Sequence, residues 1–416
     1  MSTMRIAIFG YGTVGRGVAD ALDQAGQRIE TMTGTTIELV SICDLMDLPD
    51  DPRASLLTKD GNSILNDETV NLIVECMGGV GYAYEVTKRA LSSGKSVVTS
   101  NKALVAKHGM ELKQLALKNE ARYSFEAAVG GGIPLLRTLQ RELRTNTVTA
   151  MAGILNGTTN YILTEMGERG LSYGAALKAA QDLGYAEADP TDDVEGFDTL
   201  RKLAILGSII TGEAVNYETI PCRGIVGLQP EDFSWAQELD YKIALLAHYS
   251  CIDGQYAFQV SPFYVPADNP LAMVSGVYNA ALFKADLAGT FLLYGEGAGG
   301  LATASAILAD ILQIAIHPFD IDRAERKVWC DNGIDTLIIP EDELRWRYAF
   351  RFGRDDLKGK LNAKRILNEL MVTHETKGGA PGTLAVSKEL LDRGRLNELL
   401  EVLEPEQYLP IYEDWK

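Results

Sequence analysis

Residues 5–15 read Arg-Ile-Ala-Ile-Phe-Gly-Tyr-Gly-Thr-Val-Gly, and this stretch decides the fold of the first part of the chain. An apolar strand runs directly into three glycines with GxGxxG spacing, and apolar residues then recur at helical intervals as far as Ala25. The first glycine permits a tight turn, the second lets backbone approach a pyrophosphate, and the third lets helix and strand pack closely. The pattern predicts a Rossmann-type domain that binds a dinucleotide. The phosphates of the dinucleotide are expected to contact Gly10, Gly12, Thr13, Val14 and Gly15.

The next strand places a carboxylate beside this loop. Residues 37–43 are predicted to form the next strand, which ends at Asp44, a candidate acceptor for the ribose hydroxyls, although the distance from Gly15 exceeds the usual ~20 residues. We therefore expect residues 26–36 to form an extended connection between helix and strand.

Two further apolar strands, residues 70–76 and 96–99, lead into Gly78 and into Ser100 and Lys102. In doubly wound sheets ligands lie outside the carboxyl ends of the strands, so these three residues are candidate cofactor contacts. A lysine partly removed from water has a lowered pKa and can exchange protons near neutrality. The alternative is that Lys102 is an ordinary surface lysine in a strand–helix loop.

A region rich in charge lies at residues 184–202. Pro190 ends the preceding element, and the sequence from Asp193 onward predicts a helix that begins on carboxylates, with Asp198 and Lys202 on one face. Such a pair is often a solvated surface contact of little energetic value. In a binding site, an adjacent carboxylate and ammonium can instead hold a polar substrate and manage its proton.

Five motifs occur in a meaningful order. They are residues 10–15, 101–104 (Asn-Lys-Ala-Leu), 126–134 (Glu-Ala-Ala-Val-Gly-Gly-Gly-Ile-Pro), 156–160 (Asn-Gly-Thr-Thr-Asn) and 184–202. Over roughly residues 4–325 the chain closely resembles homoserine dehydrogenases. The resemblance implies reversible reduction of L-aspartate 4-semialdehyde to L-homoserine with NADH or NADPH, at a branch point toward threonine and methionine.

The resemblance also implies roles for individual residues. Lys102 and Asp198 match the proton-transfer residues, whereas Glu187 and Lys202 match residues that hold the amino-acid head. Further substrate contacts match Asn156, Gly157, Thr158, Tyr185 and Asp193. These roles agree with simple chemistry, because a substrate ammonium requires carboxylates and a substrate carboxylate requires an ammonium or backbone N–H groups.

Two glycine-rich segments complete the expected site. Residues 126–134 could be a simple turn, but the resemblance implies a monovalent cation, sodium, held by the Glu126 side chain or carbonyl and the carbonyls of Val129, Gly131 and Ile133. Residues 295–300 precede an apolar helix at 302–316. In the family this segment returns to the cofactor domain, so Gly297 and Thr303 are candidate cofactor contacts.

A chain of 416 residues is too long for one compact core. We expect an α/β protein with a dinucleotide-binding domain (1–135, with about 300–325 returning), a substrate and dimerisation domain (136–299) and a C-terminal domain (343–416). The last reads as βαββαβ, with its first helix at 361–370, and resembles an ACT regulatory domain. Lys358 stands where that family usually has proline, so a structural remnant and a threonine sensor both remain open.

Composition excludes several classes of function. With 57 acidic against 39 basic residues and a net charge of -18, binding to nucleic acid or anionic membranes is not expected. No apolar run approaches the ~20 residues of a membrane span. The five cysteines and four histidines are scattered without metal-ligand spacing, which indicates reduced thiols in a cytoplasmic protein. The family implies a homodimer or higher homo-oligomer.

Two questions remain open at this point. A non-catalytic sensor of nucleotide and amino acid on the same scaffold is an alternative to the enzyme, although the presence of Lys102 and Asp198 favours catalysis. The cofactor is expected to be NAD rather than NADP, because Cys43 stands where NADPH-using relatives often have arginine and Asp44 would repel a 2′-phosphate. Arg53 or Lys59 could still neutralise that phosphate.

Overall fold

The computed structural model describes residues 2–316, 334–352, 370–374 and 383–413. These residues form two compact units. The first comprises Met1–Thr145, Ala204–Tyr217 and Gly295–Ile334, and the second comprises Asn146–Leu203, Glu218–Tyr294 and Asp335–Lys416. The second unit therefore includes most of the expected substrate domain and the C-terminal strands, whereas residues 136–145, 204–217 and 295–299 belong to the first unit.

The strands are β1 (Ser2–Phe9), β2 (Thr35–Cys43), β3 (Leu57–Thr58), β4 (Leu72–Glu75), β5 (Ser96–Thr99), β6 (Tyr123–Ser124), β7 (Val148–Ile154), β8 (Tyr241–Ile252), β9 (Gln255–Pro266), β10 (Tyr278–Ala285), β11 (Gly289–Glu296), β12 (Arg347–Phe352), β13 (Leu370–His374), β14 (Thr383–Ser387) and β15 (Gln407–Ile411). The helices are α1 (Thr13–Thr33), α2 (Gly61–Asn66), α3 (Gly81–Ser92), α4 (Lys102–Lys118), α5 (Leu135–Arg137), α6 (Gly157–Arg169), α7 (Tyr173–Asp182), α8 (Thr191–Val194), α9 (Phe197–Thr211), α10 (Pro230–Glu238), α11 (Gly300–Ile316) and α12 (Arg393–Leu403).

The first unit contains a parallel sheet with strand order β3-β2-β1-β4-β5-β6. Its central strands are apolar on both faces because helices cover both sides, and Ile6, Ile8, Leu72 and Val74 are fully buried. Helices α1 and α11 pack on this core through small and branched residues such as Ala304. The order is that of a Rossmann fold and confirms the predicted fold class.

Two local predictions are wrong. Residues 26–33 are not an extended connection, because α1 continues to Thr33 and ends at Gly34 in the left-handed conformation. Ile29 keeps the helix on the core, which outweighs the weak propensity of Gly26. The helix expected from Asp193 is divided, since Gly196 has φ +86° and separates α8 from α9.

The second unit contains a nine-stranded sheet in the order β11-β10-β7-β8-β9-β15-β12-β14-β13. The last four form antiparallel pairs, in which β12 lies between β15 and β14, and β14 lies between β12 and β13. Strand β15 joins β9 in parallel, so the C-terminal strands extend the sheet of the substrate domain. The predicted helix at 361–370 and the turn at 378–382 lie outside the described residues, apart from Leu370, which begins β13.

Candidate active site

The glycine loop after β1 has no room for side chains at two of its positions. A Cβ on Gly15 would lie 2.0 Å from the carbonyl oxygen of Gly10, and one on Gly10 would lie 2.7 Å from that of Cys76. Gly10 also has φ +89°, which favours glycine. Gly12 begins α1 without any side-chain cap, so the first N–H groups of the helix, including those of Thr13 and Val14, are not occupied by a capping side chain. This arrangement suits a phosphate at the helix N-terminus.

Helix α11 begins directly against α1. A Cβ on Gly17 would lie 2.7 Å from the carbonyl oxygen of Gly300, and Thr303 is buried in the first turn of α11. A cavity of about 880 Å³ lies here, lined by residues of both helices that include Thr13, Arg16 and Gly299. Its size is within the range of cofactor sites.

Asp44 is held beside the glycine loop. Its Oδ2 accepts a hydrogen bond from Tyr11 N at 2.6 Å, and its Oδ1 accepts one from Met46 N at 2.9 Å. A second cavity of about 440 Å³ is lined by Asp44 and by residues 46–59 that include Lys59. The carboxylate is thus fixed at the end of β2, where a ribose would be read.

The two cations considered for a 2′-phosphate are already paired. Arg53 binds Asp20 at 2.8 Å and Asp23 more closely still, and it donates to the Tyr11 hydroxyl at 3.2 Å. Lys59 lies 2.7 Å from Asp47 on the surface. The charge of Arg53 is therefore largely neutralised within the first unit, whereas the Lys59–Asp47 pair is an exposed surface contact.

Lys102 is the first residue of α4, and Asn101 caps that helix by accepting a hydrogen bond from Leu104 N at 3.0 Å. The Asn101 amide also donates to the carbonyl of Gly79 at 2.6 Å, which fixes the loop that contains Gly78. Ser100 N donates to the carbonyl of Glu75 at 3.3 Å. The loops after β4 and β5 are therefore joined, and Gly78 is exposed with open space around it.

The Glu126 side chain is buried and binds protein backbone. Its carboxylate accepts hydrogen bonds from Leu136 N at 2.9 Å and Arg137 N at 2.7 Å. Burial, and then the negative charge of Asp310, raise the pKa of Glu126 to about 7. Arg137 in turn lies 2.8 Å from Asp310, which also accepts from Glu126 N.

The adjoining glycine segment touches the expected cofactor segment. Gly132 N donates to the carbonyl of Glu296 at 3.1 Å. A Cβ on Gly131 would lie 2.5 Å from the carbonyl oxygen of Gly297. Val129 and Ile133 are buried in the same segment.

In the second unit, four predicted substrate or catalytic residues come together. The Asn156 amide donates to Asp193 at 2.7 Å and to Asp198 at 2.8 Å. Asp198 forms the expected ion pair with Lys202 at 2.7 Å, and Lys202 also donates to the carbonyl of Leu155 at 2.7 Å. Asp198 is only 1% exposed, so the pair is not a solvated surface contact.

The remaining predicted substrate residues lie around the start of α6. Gly157 approaches the carbonyl of Val277 so closely that a Cβ would lie 2.7 Å from it. The Thr158 hydroxyl donates to the carbonyl of Tyr185 at 2.7 Å. Glu187 is exposed, and no described residue forms a hydrogen bond or ion pair with its carboxylate.

Sequence reasoning missed several supporting residues. Arg201 makes a two-pronged contact with Asp192 at 2.7 and 3.2 Å, which fixes the segment between α8 and α9. Asp310 and Arg137 support Glu126 from positions 173 residues apart. Asp192 and Arg201 are nine residues apart, and Arg137 and Asp310 are 173 residues apart. Neither separation matches a helix or strand period, so the sequence gives no signal for these contacts.

Within the described part of the chain, no cluster of three or more histidine, cysteine, aspartate or glutamate residues could hold a metal ion. Cys43, Cys76, Cys222 and Cys251 are free thiols, and Cys330 lies outside the described residues. No described helix combines the length and apolarity needed to cross a membrane.

Comparison with known proteins gives matches along most of the chain. The family model "Homoserine dehydrogenase, NAD binding domain" matches residues 10–126, and "Homoserine dehydrogenase" matches residues 134–312. A homoserine dehydrogenase of Neisseria gonorrhoeae is 38% identical over 367 residues, which cover 87% of this chain and 84% of that protein.

Solved structures are similar as well. A homoserine dehydrogenase from Thiobacillus denitrificans has a TM-score of 0.88 and 30% identity, with 99% of each chain covered. A hyperthermophilic archaeal homoserine dehydrogenase mutant in complex with NADPH has a TM-score of 0.66 and 30% identity, and covers 77% of this chain and 100% of that one.

Proposed function

The chain belongs to the homoserine dehydrogenase family and catalyses the NAD(P)-dependent interconversion of L-aspartate 4-semialdehyde and L-homoserine, and we propose which of its residues carry each part of that reaction. Family membership also decides against the non-catalytic sensor. The assignment of roles to individual residues rests on the buried cluster of Asn156, Asp198 and Lys202 in the second unit.

The cofactor contacts belong to the first unit. Gly10, Gly12 and Gly15 leave backbone accessible, and the uncapped N-terminus of α1 binds the pyrophosphate. Gly297 and Thr303 at the start of α11, and Gly78 and Ser100 after β4 and β5, contribute further contacts. When bound, NAD(P) supplies or accepts the hydride.

NAD is the preferred cofactor in this proposal. Asp44 accepts hydrogen bonds from both ribose hydroxyls, and its charge opposes a 2′-phosphate. Arg53 and Lys59 do not offset that repulsion, because each is paired with aspartate. The archaeal relative bound to NADPH shows that the family accommodates the phosphate, so the arrangement of charges in this chain is the determinant to be tested.

The amino-acid head of the substrate is held by the second unit. Glu187 and Asp193 bind the substrate ammonium, and Asn156, Gly157, Thr158 and Tyr185 shape the site around it. Lys202 donates two of its three N–H bonds to Asp198 and to the carbonyl of Leu155, and the third serves the substrate carboxylate.

Lys102 and Asp198 act in the proton step. During reduction, Lys102 Nζ protonates the oxygen of the aldehyde as hydride adds to its carbon, and in the reverse direction it removes the hydroxyl proton. Asp198 is held by the ion pair with Lys202 and the hydrogen bond from the Asn156 amide, and it accepts a hydrogen bond from the reacting groups and orients the proton transfer.

A sodium ion at residues 126–133 is compatible with the charges found there. Glu126 and Asp310 are two buried carboxylates near Arg137, with Lys113 also acting on Asp310, and a monovalent cation would stabilise the charged form of Glu126. The Glu126 carboxylate is used to bind Leu136 N and Arg137 N. The carbonyl oxygens of Glu126, Val129, Gly131 and Ile133 are therefore the proposed ligands, and the ion would hold the glycine segment in place.

Three properties of the whole protein complete the proposal. The subunits form a homodimer or a higher homo-oligomer in the cytoplasm, as the sequence analysis expects. The C-terminal strands belong to an ACT-like domain, which is either a threonine sensor or a structural remnant. Light scattering of the purified protein tests the oligomeric state, and inhibition assays with threonine distinguish a sensor from a remnant.

The substrate assignment is tested by steady-state oxidation of L-homoserine with NAD and with NADP. Glu187→Ala removes a carboxylate that holds the substrate ammonium, so we expect the KM for homoserine to rise about tenfold, whereas the KM for the cofactor stays near the wild-type value. An unchanged KM for homoserine would remove Glu187 from the substrate site. A clear preference for NADP would show that Asp44 does not decide cofactor choice.

A further inference from the structure

The first unit contains a buried carboxylate besides Glu126 and Asp310, and the reaction as described has no use for it. Glu75 is the last residue of β4 and is fully buried. No arginine, lysine or histidine in the described part of the chain forms an ion pair with it. Burying a carboxylate without a counter-ion costs several kcal/mol, so its retention calls for a reason other than filling space.

The hydrogen bonds of Glu75 join two loops of the cofactor unit. Its Oε1 accepts from Met77 N at 2.7 Å, and its Oε2 accepts a short hydrogen bond from the hydroxyl of Thr99. Glu75 and Thr99 are paired in register at the ends of the parallel strands β4 and β5. One carboxylate therefore sets the direction in which the chain leaves each strand.

The same bonds continue to the start of α4. Thr99 Oγ1 accepts from Asn101 N at 2.9 Å, and the Asn101 side chain caps α4 and donates to the carbonyl of Gly79. Lys102 is the next residue, at the first position of that helix. A continuous set of hydrogen bonds thus runs from Glu75 through Thr99 and Asn101 to the backbone that carries the lysine.

We propose that Glu75 is a positioning residue that acts, through Thr99 and Asn101, on the placement of Lys102 Nζ during proton transfer. This inference rests on the proposed role of Lys102. An ionised carboxylate makes stronger hydrogen bonds than a neutral group, and it accepts from both Met77 and Thr99 at once. A glutamine at this position has one acceptor oxygen only, so one of the two loops loses its attachment.

Protonation behaviour supports the assignment. Burial raises the pKa of Glu75 to about 7, and the hydrogen bonds from Thr99, Met77 and Asn101 act in the opposite direction. The groups that face it are neutral donors, together with the Cys76 thiol and the Tyr123 ring of β6; burial raises the pKa of both, and the Glu75 charge raises it further. The donors that lead to Lys102 offset part of the cost of burial, and the carboxylate that accepts from both loops is the form present above about pH 7.

Substitutions that break the hydrogen bonds of Glu75 are expected to lower kcat and to leave the KM for L-homoserine nearly unchanged. Misplacing a reacting group by about 1 Å can lower the rate by about a hundredfold, whereas binding of the substrate head depends on residues of the second unit. We expect Glu75→Gln and Thr99→Val each to lower kcat by about tenfold or more, with the KM for L-homoserine within about twofold of the wild-type value. Thr99→Ser keeps the hydroxyl and should retain kcat.

A double-mutant cycle with Lys102→Ala separates positioning from a general structural effect. If Glu75 acts through Lys102, Glu75→Gln lowers kcat in the wild-type background and changes it little in the Lys102→Ala background. Losses that multiply in the double variant would overturn the inference, as would wild-type kcat in both Glu75→Gln and Thr99→Val.

Two further outcomes are distinguishable. If Glu75→Gln does not fold, the comparison of Thr99→Val with Thr99→Ser decides the question, and equal kcat values contradict the inference. Near-normal turnover of Lys102→Ala itself would refute the proposed function of Lys102, and with it the inference about Glu75. Loss in Lys102→Ala with wild-type kcat in Glu75→Gln would refute the inference alone.

Discussion

At the scale of single residues, the neighbours of Arg53 determine what its charge can do. The guanidinium contacts Asp20 and Asp23 of α1 and the hydroxyl of Tyr11, whose backbone N–H binds Asp44. Two carboxylates thus compete with any phosphate for one cation. The sequence alone could not show this, because Arg53 is 30 residues from Asp23.

We expect the double substitution Asp20→Asn and Asp23→Asn to shift cofactor preference toward NADPH. Without the two aspartates Arg53 is no longer neutralised, and its charge can offset the repulsion between Asp44 and a 2′-phosphate. The ratio of kcat/KM for NADPH to that for NADH should rise about tenfold, which corresponds to about 1.4 kcal/mol.

The control is Glu38→Gln with Glu120→Gln, which changes net charge equally. Both glutamates are exposed, and they lie toward the amino ends of the sheet, away from the expected ligand. An equal shift in this control would attribute the effect to net charge. An unchanged ratio of kcat/KM values in the Asp20/Asp23 variant would show that Arg53 does not influence cofactor choice.

Glu126 should make stability depend on pH. Its pKa in the folded protein is about 7, above the ordinary value of 4.5, so the folded state binds a proton that the unfolded state has already released between these values. Stability from this group is present below about pH 4.5 and is lost as pH rises through 7, by about 3 kcal/mol.

Urea unfolding at pH 5 and pH 8 in a sodium-free buffer measures this loss. Wild type should lose up to about 3 kcal/mol more than Glu126→Gln between the two pH values, and sodium at pH 8 should restore part of it to wild type only. If the unfolding free energies of the two proteins changed equally with pH, Glu126 would not have a raised pKa in the folded protein. If sodium and choline changed the unfolding free energy equally, the proposed sodium site would be contradicted.

At the scale of elements, the two helix N-termini near the glycine loop depend on contacts that only glycine permits. Gly17 of α1 touches the carbonyl of Gly300, the first residue of α11. The proposed cofactor contacts Gly297 and Thr303 flank that contact. The closeness of α1 and α11 therefore bears directly on nucleotide binding.

Gly17→Ala should weaken cofactor binding. The new Cβ would lie 2.7 Å from the Gly300 oxygen, so the start of α11 must move. We expect the KM for the cofactor to rise about tenfold. Gly26→Ala on the same helix meets no atom within 4 Å, so it should leave that KM unchanged and stabilise the protein by up to about 1 kcal/mol. Equal KM values for the two variants would show that the contact has no role in binding.

Elements with a strong local signal were predictable, and breaks imposed by packing were not. Strand β5 occurs where the apolar run at 96–99 predicts it, because a buried strand between helices requires such a run. The length of α1 and the division between α8 and α9 depend on distant contacts. At Gly196, for example, a Cβ would lie 3.1 Å from the sulfur of Cys222 and 3.3 Å from Val260.

At the scale of the whole molecule, the C-terminal strands are bound to the second unit by a buried ion pair as well as by the sheet. Arg351 of β12 lies 2.6 Å from Asp232 of α10, and both side chains are almost completely buried. Tyr412 N donates to the carbonyl of Tyr264 on β9 at 2.8 Å. We therefore do not expect the tail to be removable without loss of stability.

Arg351→Met should cost about 3 kcal/mol, because it leaves Asp232 buried without its cation. Arg347→Met on the same strand breaks an exposed pair with Glu413 and should cost less than about 1 kcal/mol. Unfolding free energies from urea titration compare the two. Equal costs would mean that the Arg351–Asp232 pair does not anchor the tail.

The parts of the site were predictable only to the extent that they are local in sequence. The glycine loop and the i, i+4 pair of Asp198 and Lys202 carry periodic signals, and both are present. Asn156 reaches Asp198 across 42 residues, and Glu126 reaches Asp310 across 184. Contacts at such separations are created by the topology of the two sheets, so residue spacing alone cannot give them.

The central claim is that Lys102 and Asp198 carry the proton step while other residues hold the substrate. The most direct measurement is kcat for L-homoserine oxidation in Lys102→Ala and in Asp198→Asn, with circular dichroism spectra to verify the fold. A positioned acid or base contributes roughly 10²- to 10⁴-fold, so we predict that each folded variant loses kcat by at least about a hundredfold. A folded variant that turns over at close to the wild-type rate would contradict the account.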